Sequence, residues 1–154
     1  MNFLQKETRV SIYIIKASAF VILTSFSLIF LYSFFFELPD EGPSISLTGT
    51  DFFGVVVFAP FVETVLMILS LRVFLFISRR STPACILNAF LWSAMHSMIF
   101  LLWGFFTLIP FFVFSMAYLT WRTKSKKMAF FVAFAIHALL NLSPFVVMWV
   151  DELN

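Results

Sequence analysis

Four polar side chains interrupt long apolar stretches of the sequence, and all four are of types that carry hydrolytic chemistry: Glu63, His96, His137 and Asn141. A carboxylate beside an imidazole can hold a water molecule and remove its proton. A second imidazole, with a carboxamide one helical turn away, can donate hydrogen bonds to a developing oxyanion. These residue types therefore predict a site that hydrolyses an amide or an ester.

The same atoms offer a zinc site as a competing use, because two histidines and one glutamate can form an open catalytic site for that metal. The sequence has no His-Glu-x-x-His motif, and Glu63, His96 and His137 would come from three different helices. We therefore expect no metal and no other cofactor, with zinc as the less favoured interpretation. The one cysteine, Cys85, permits no internal disulfide.

The composition indicates that these residues sit in a lipid environment. The 154-residue chain is 62% hydrophobic and 20% aromatic, and only 12% of its residues are charged, about half of the fraction usual in a soluble domain. A chain of this size cannot bury 24 phenylalanines in one core. The sequence therefore predicts an all-α, polytopic membrane helix bundle, and it argues against a soluble globular domain or a disordered chain.

A membrane-spanning helix needs about 20 mostly apolar residues, and five segments of the sequence approach or exceed that length. We predict spanning helices over Ala17–Phe36, Phe52–Ile77, Ala84–Trp103, Phe105–Trp121 and Met128–Trp149. The first follows basic residues as a signal peptide would, but it is longer and lacks a small-residue cleavage site, so we expect a retained anchor. Between the third and fourth spans we expect a tight turn at Trp103-Gly104.

The distribution of charge supports five spans. All ten lysines and arginines fall into three clusters, which are Lys6, Arg9 and Lys16, then Arg72, Arg79 and Arg80, and then Arg122, Lys124, Lys126 and Lys127. Five spans place these clusters on one side, and the acidic first connection and C-terminal tail on the other. We predict a plasma-membrane protein, in which the positive-inside rule predicts a cytoplasmic N-terminus and an external C-terminus. We expect anionic lipid headgroups beside Arg122–Lys127, and no nucleic acid partner.

The candidate residues lie within the spans, where ionisable groups are costly and tend to mark function. Small residues recur every four positions before His137 on the fifth span and before His96 on the third, and small residues let membrane helices approach closely. On the second span, Pro60 loosens the helix beside Glu63. Each residue alone fits a structural contact between helices. Together with Asn141 they predict one shared polar pocket.

Each of three spans carries a short motif that contains a candidate residue: Ala59-Pro60-Phe61-Val62-Glu63 on the second, Trp92-Ser93-Ala94-Met95-His96 on the third and His137-Ala138-Leu139-Leu140-Asn141 on the fifth. Their order and spacing resemble those of the CAAX-protease and bacteriocin-processing (CPBP, or Abi) intramembrane endopeptidases. The resemblance covers about residues 52–145. It leaves the first span, 17–36, as an additional transmembrane helix in a single integral membrane domain, 1–154.

The resemblance implies an intramembrane endopeptidase of the glutamate type, acting on a peptide or protein substrate. It implies that Glu63 and His96 activate water, that His137 and Asn141 stabilise the oxyanion, and that no metal takes part. It also implies a function in peptide processing or in bacteriocin self-immunity.

Two positions depart from the family pattern. Thr64 stands where the family usually has a second glutamate, and Ile68 stands where it has an arginine. Those two residues commonly form a supporting charge pair, and the loss of both leaves no orphan charge. Two alternatives stay open: a non-catalytic membrane binding or immunity protein of the same fold, and a transporter subunit in which Glu63 carries a proton. The absence of an internal repeat disfavours the transporter.

Overall fold

The computed structural model of the chain describes residues 9–37 and 45–153, which form five long helices and no strand. The helices are α1 (Val10–Phe35), α2 (Gly49–Ser78), α3 (Ser81–Ile99), α4 (Leu101–Arg122) and α5 (Lys126–Glu152). The predicted all-α bundle of about five helices is therefore confirmed. Lys6 of the first basic cluster, and Asp40 and Glu41 of the acidic connection, lie outside the described residues.

Four of the helices, α1, α2, α4 and α5, are long and apolar enough to cross a membrane. Helix α3 is shorter and more polar, because its 19 residues include Asn88, His96 and three serines. Large apolar side chains cover the outside of the bundle. Phe30, Phe34 and Phe76 are 73%, 77% and 83% exposed, which suits contact with lipid and not with water. The chain is thus an integral membrane protein.

Side-chain contacts show that consecutive helices run in opposite directions. The pairs that fix these directions are Tyr13–Trp121 and Tyr32–Phe106 between α1 and α4, Asn88–Ser115 and Ser93–Gly104 between α3 and α4, Glu63–His96 and Ser70–Asn88 between α2 and α3, and Phe52–Phe145 and Phe61–Phe130 between α2 and α5. The start of α1 and the α2–α3 and α4–α5 connections therefore share one end of the bundle. We call it the basic end, because it carries Arg9, Arg79, Arg80 and Arg122–Lys127.

Local chemistry explains where several helices begin and end. Thr48 caps α2, since its hydroxyl accepts a hydrogen bond from the Asp51 N–H, and Ser125 caps α5 by accepting from the Met128 N–H. Helix α2 ends at Ser78, because the next residue, Arg79, has a left-handed φ of 54° that stops the helical pattern. Three residues then suffice to connect α4 to α5, which keeps those two helices adjacent.

The predicted tight turn at Trp103-Gly104 is wrong. The chain breaks at Phe100, where φ is −148° and ψ is 120°, and Gly104 lies inside α4. A Cβ atom at Gly104 would collide with the Ser97 hydroxyl and with the Ser93 carbonyl oxygen. The Ser93 hydroxyl also donates a hydrogen bond to the Gly104 carbonyl. This glycine therefore marks the close approach of two helices, and not a change of direction.

Small side chains let the helices pack closely around one core. The alanines that are at most 1% exposed are Ala17 on α1, Ala84 and Ala89 on α3, Ala117 on α4, and Ala129 and Ala133 on α5. Helix α1 packs against α4 and α5, and its Tyr13 and Val21 belong to the same buried cluster as the other helices. The first span is thus part of the bundle that positions the candidate residues.

Candidate active site

Three of the four candidate side chains meet inside the bundle. The Glu63 Oε2 atom on α2 lies 3.7 Å from His96 Nε2 on α3 and 3.6 Å from His137 Nε2 on α5. Both distances are slightly longer than a hydrogen bond between heavy atoms. One carboxylate oxygen therefore faces two imidazole nitrogens that come from two other helices.

The meeting point lies deep within the bundle. Glu63 is about four turns before the end of α2 at Ser78, and His96 is about four turns after the start of α3 at Ser81, so each is roughly 22 Å from the basic end at 1.5 Å per residue. His137 is 4% exposed and His96 is 9% exposed. The two imidazoles are therefore buried, whereas 26% of the Glu63 side chain is exposed.

The Glu63 Oε2 atom is buried and has no hydrogen-bond partner among the described residues. Nearly all buried polar atoms in folded proteins have such a partner, because an unsatisfied one loses its solvation without compensation. An orphan carboxylate oxygen next to two imidazoles is a common mark of a functional site, and proton transfer is the chemistry that suits it.

A backbone contact fixes the tautomer of the neutral His96 ring, and with it the nitrogen that can act as a base. The His96 Nδ1 atom lies 2.8 Å from the carbonyl oxygen of Trp92. A carbonyl oxygen only accepts hydrogen bonds, so the proton of the neutral ring resides on Nδ1. The Nε2 lone pair then points toward Glu63 and is available to accept a hydrogen bond.

Aromatic rings hold the two imidazoles in place. Phe114 stacks on His137 with a centroid distance of 4.6 Å and an interplanar angle of 23°. Phe111 contacts both imidazoles, at 5.0 Å from His96 and 5.6 Å from His137. Neither phenylalanine was a sequence candidate, because nothing in a chain with 24 phenylalanines distinguishes them. Their ring geometry restricts the orientation of both imidazoles.

A buried hydrogen-bond network lies next to the site on its basic-end side. Asn88 is 0% exposed, its Nδ2 donates to the Ser115 hydroxyl at 2.8 Å, and its Oδ1 accepts from the Ser70 hydroxyl at 2.6 Å. The Trp92 indole N–H donates to Ser70 at 3.1 Å, and its ring stacks on Phe111 at 5.2 Å. Sequence reasoning missed Asn88, although a polar residue inside a span is itself the signal.

Asn141 takes a different position from the other three candidates. Its Nδ2 atom donates a 3.0 Å hydrogen bond to the carbonyl oxygen of Val55, in a π-helical turn of α2 over Phe53–Phe58. One of its two N–H donors is therefore engaged with the backbone of α2, one turn along α5 from His137. The oxyanion function implied for Asn141 stays a prediction.

Thr64 and Ile68, the two positions that depart from the family pattern, are buried at 1% and 7% exposure. An unpaired charge at either position would be costly in this environment. The simultaneous absence of the glutamate and the arginine therefore leaves no unpaired charge at either of these two positions.

A groove of about 580 Å³ opens between the first turn of α2 and the last turns of α5, away from the basic end. Its walls are mostly apolar and include Phe52, Phe145 and Trp149, with Glu152 at the rim. The bond between Asn141 and Val55 lies between this groove and Glu63 along both helices. The groove is thus next to the site without sharing its residues.

The described residues contain no group of three or more His, Cys, Asp or Glu side chains arranged to hold a metal ion. A carboxyl group next to two imidazoles can exchange protons with them or with a bound molecule. Comparison of the chain with models of protein families, with curated proteins and with solved structures finds no match.

Proposed function

We propose that the protein is an intramembrane endopeptidase that hydrolyses a peptide bond with a water molecule activated by Glu63. The observation that carries the proposal is the orphan Glu63 Oε2 atom, 3.7 Å from His96 Nε2 and 3.6 Å from His137 Nε2. Two atoms at such a separation can share one water molecule, because a water oxygen can lie about 2.8 Å from each of them.

In the proposed reaction the water donates one hydrogen bond to the Glu63 carboxylate and the other to the Nε2 lone pair of His96. Its oxygen attacks the carbonyl carbon of the substrate while a proton passes to Glu63. His137, protonated on Nε2, donates a hydrogen bond to the resulting oxyanion. Glu63 then delivers its proton to the departing amine as the carbon–nitrogen bond breaks, which regenerates the carboxylate.

The family assignment and the cellular setting belong to the same proposal. The ordered motifs around Glu63, His96 and His137 resemble those of the CPBP endopeptidases, which supports a peptide or protein substrate and a function in peptide processing or bacteriocin self-immunity. The proposed location is the plasma membrane, and the basic end of the bundle supports a cytoplasmic N-terminus and an external C-terminus there. Anionic headgroups are the proposed neighbours of Arg122–Lys127.

The decisive experiment compares wild type with Glu63→Gln, purified in lipid and incubated with candidate peptides. Glutamine keeps the size and hydrogen bonding of the side chain but cannot accept the proton, so we expect kcat to fall by about 10²- to 10⁴-fold. Glu37→Gln is the matched control, since it makes the same chemical change at an exposed position. Hydrolysis that survives Glu63→Gln unchanged would exclude the catalytic proposal.

One observation favours a second candidate, a non-catalytic membrane binding or immunity protein. Asn141 donates to the Val55 backbone carbonyl, which is a structural contact between two helices and requires no catalytic function of Asn141. In that case protection of a producing cell would persist in Glu63→Gln. Chelation with metal analysis tests zinc separately, because a stoichiometric ion linked to activity would replace the metal-free mechanism.

A further inference from the structure

Pro60 leaves helix α2 with a backbone oxygen that lacks its usual donor. In the π-helical turn over Phe53–Phe58, hydrogen bonds run five residues back along the chain, and the Ala59 N–H donates to the Gly54 carbonyl. The next bond in this pattern would run from residue 60 to the Val55 carbonyl. Proline has no N–H, so this bond cannot form.

The side chain of Asn141 reaches the Val55 oxygen from another helix, with an Nδ2–O distance of 3.0 Å. Within a membrane, a backbone group freed by proline must find its partner inside the protein. We infer that Asn141 replaces the missing N–H of Pro60 and thereby acts as a positioning residue for Glu63. Pro60 on α2 and Asn141 on α5 therefore act together, because Pro60 frees the Val55 carbonyl and Asn141 donates to it.

A second proline in the bundle, Pro144, also leaves a backbone carbonyl without its usual donor, and here a neighbouring side chain of the same helix provides one. Pro144 lies inside α5, where an α-helical residue at this position would donate to the Leu140 carbonyl. The Ser143 hydroxyl donates to that carbonyl at 2.6 Å. On α2 the donor comes from 86 residues away, so the bond also joins α2 to α5.

This bond bears on the geometry of the site through both helices. A return of the π-helical turn to an α-helix would rotate the first turn of α2 by about 100° relative to Glu63. The contact between Phe52 and Phe145, with centroids 5.6 Å apart, would then be lost. Because Asn141 and His137 are one turn apart on α5, the bond also aligns His137 with Glu63. This catalytic consequence rests on the proposed function, whereas the bond itself does not.

A double-mutant cycle on unfolding in detergent tests the pairing without any assay of activity. We expect Asn141→Leu to lower the unfolding midpoint by about 3 °C. In the Pro60→Ala background we expect a loss below about 1 °C, because residue 60 then has an N–H and the Val55 oxygen gains a backbone donor in either helical pattern. Pro60→Ser supplies the same N–H and serves as a second variant should Pro60→Ala fail to fold.

Ser143→Ala is the matched control in this cycle. Its effect on the midpoint should be the same in the wild-type and the Pro60→Ala backgrounds, because Ser143 serves the carbonyl freed by Pro144. An Asn141→Leu loss of equal size in both backgrounds would overturn the inference. The inference is supported if the Asn141→Leu loss is smaller in the Pro60→Ala background while the Ser143→Ala loss is the same in both.

Peptide hydrolysis provides the catalytic arm. If Asn141 were a direct oxyanion donor, Asn141→Leu would reduce kcat by about 10²- to 10³-fold in both backgrounds. As a positioning residue, it should cost at least tenfold less in the Pro60→Ala background than in wild type. If Asn141→Leu lowers the unfolding midpoint equally in both backgrounds while wild type hydrolyses peptide, the inference alone is refuted. If the loss is smaller in the Pro60→Ala background but wild type hydrolyses no peptide, only the proposed function is refuted.

Discussion

At the scale of single residues, the centre of the site is the Glu63 carboxylate, whose Oε2 atom has no hydrogen-bond donor among the described residues. Glu63 Oε2 is enclosed by two imidazole nitrogens at 3.6 and 3.7 Å, and the Trp92 carbonyl orients His96. The residue types and their places inside apolar spans predicted that Glu63, His96 and His137 belong together. The tautomer of His96 could not be predicted, because it depends on a carbonyl that faces Nδ1 only in the folded helix.

Asn88 gives a stability prediction at this scale. Asn88→Leu preserves the side-chain volume but removes the hydrogen-bond partner that Asn88 provides to the Ser70 and Ser115 hydroxyls in the bundle interior. We expect unfolding in detergent to become easier by about 1–2 kcal/mol. Trp92→Phe is the comparison variant and should cost less, since it removes one hydrogen bond and keeps an aromatic ring against Phe111. Equal stability of Asn88→Leu and wild type would show that the network contributes nothing.

At the scale of helices, glycine and proline mark special contacts. Pro60 and Pro144 each free a carbonyl that a polar side chain then satisfies, and Gly104 allows α3 and α4 to touch. The hydropathy pattern predicted all five helices. The turn between α3 and α4 could not be placed from it, because Trp103-Gly104 suits a turn as well as it suits a helix packed closely on its neighbour.

Gly104→Ala tests that helix contact. The added methyl group would meet the Ser93 carbonyl, which is backbone and cannot move aside, so we expect a loss of stability of about 1–3 kcal/mol. Gly54→Ala is the matched control, because nothing lies within 4 Å of a Cβ atom there. That control should be neutral, or stabilising by up to about 1 kcal/mol from helix propensity. Similar midpoints for the two variants would contradict the packing explanation for Gly104.

At the scale of the whole molecule, charge and helix direction agree. The alternating helices bring the described basic clusters to one end of the bundle, while Glu37, Asp51, Asp151 and Glu152 belong to the opposite end. A bundle organised in this way has a defined orientation under the positive-inside rule. The basic end should therefore face the cytoplasm.

Cysteine labelling tests this orientation. Cysteines placed at Lys124 and at Ser46, in a Cys85→Ser background, should react with a membrane-impermeant thiol reagent from opposite sides of intact cells or vesicles. We expect the Ser46 position to be labelled from outside and the Lys124 position only after permeabilisation. Labelling of both positions from the same side would contradict the alternating five-helix arrangement across the membrane.

Hydropathy and charge act residue by residue, since each side chain has its own cost of transfer into lipid. Hydropathy and charge in the sequence therefore predicted the number of helices and the end of the bundle that carries the basic clusters. They also identified the few polar residues that lie within apolar helices. Only the tertiary structure shows which side chains contact one another across helices. Asn141 meets Val55, and Phe111 meets both imidazoles, because particular faces of different helices pack together. A hydrogen bond or a ring contact depends on distances between helices, which no local pattern encodes.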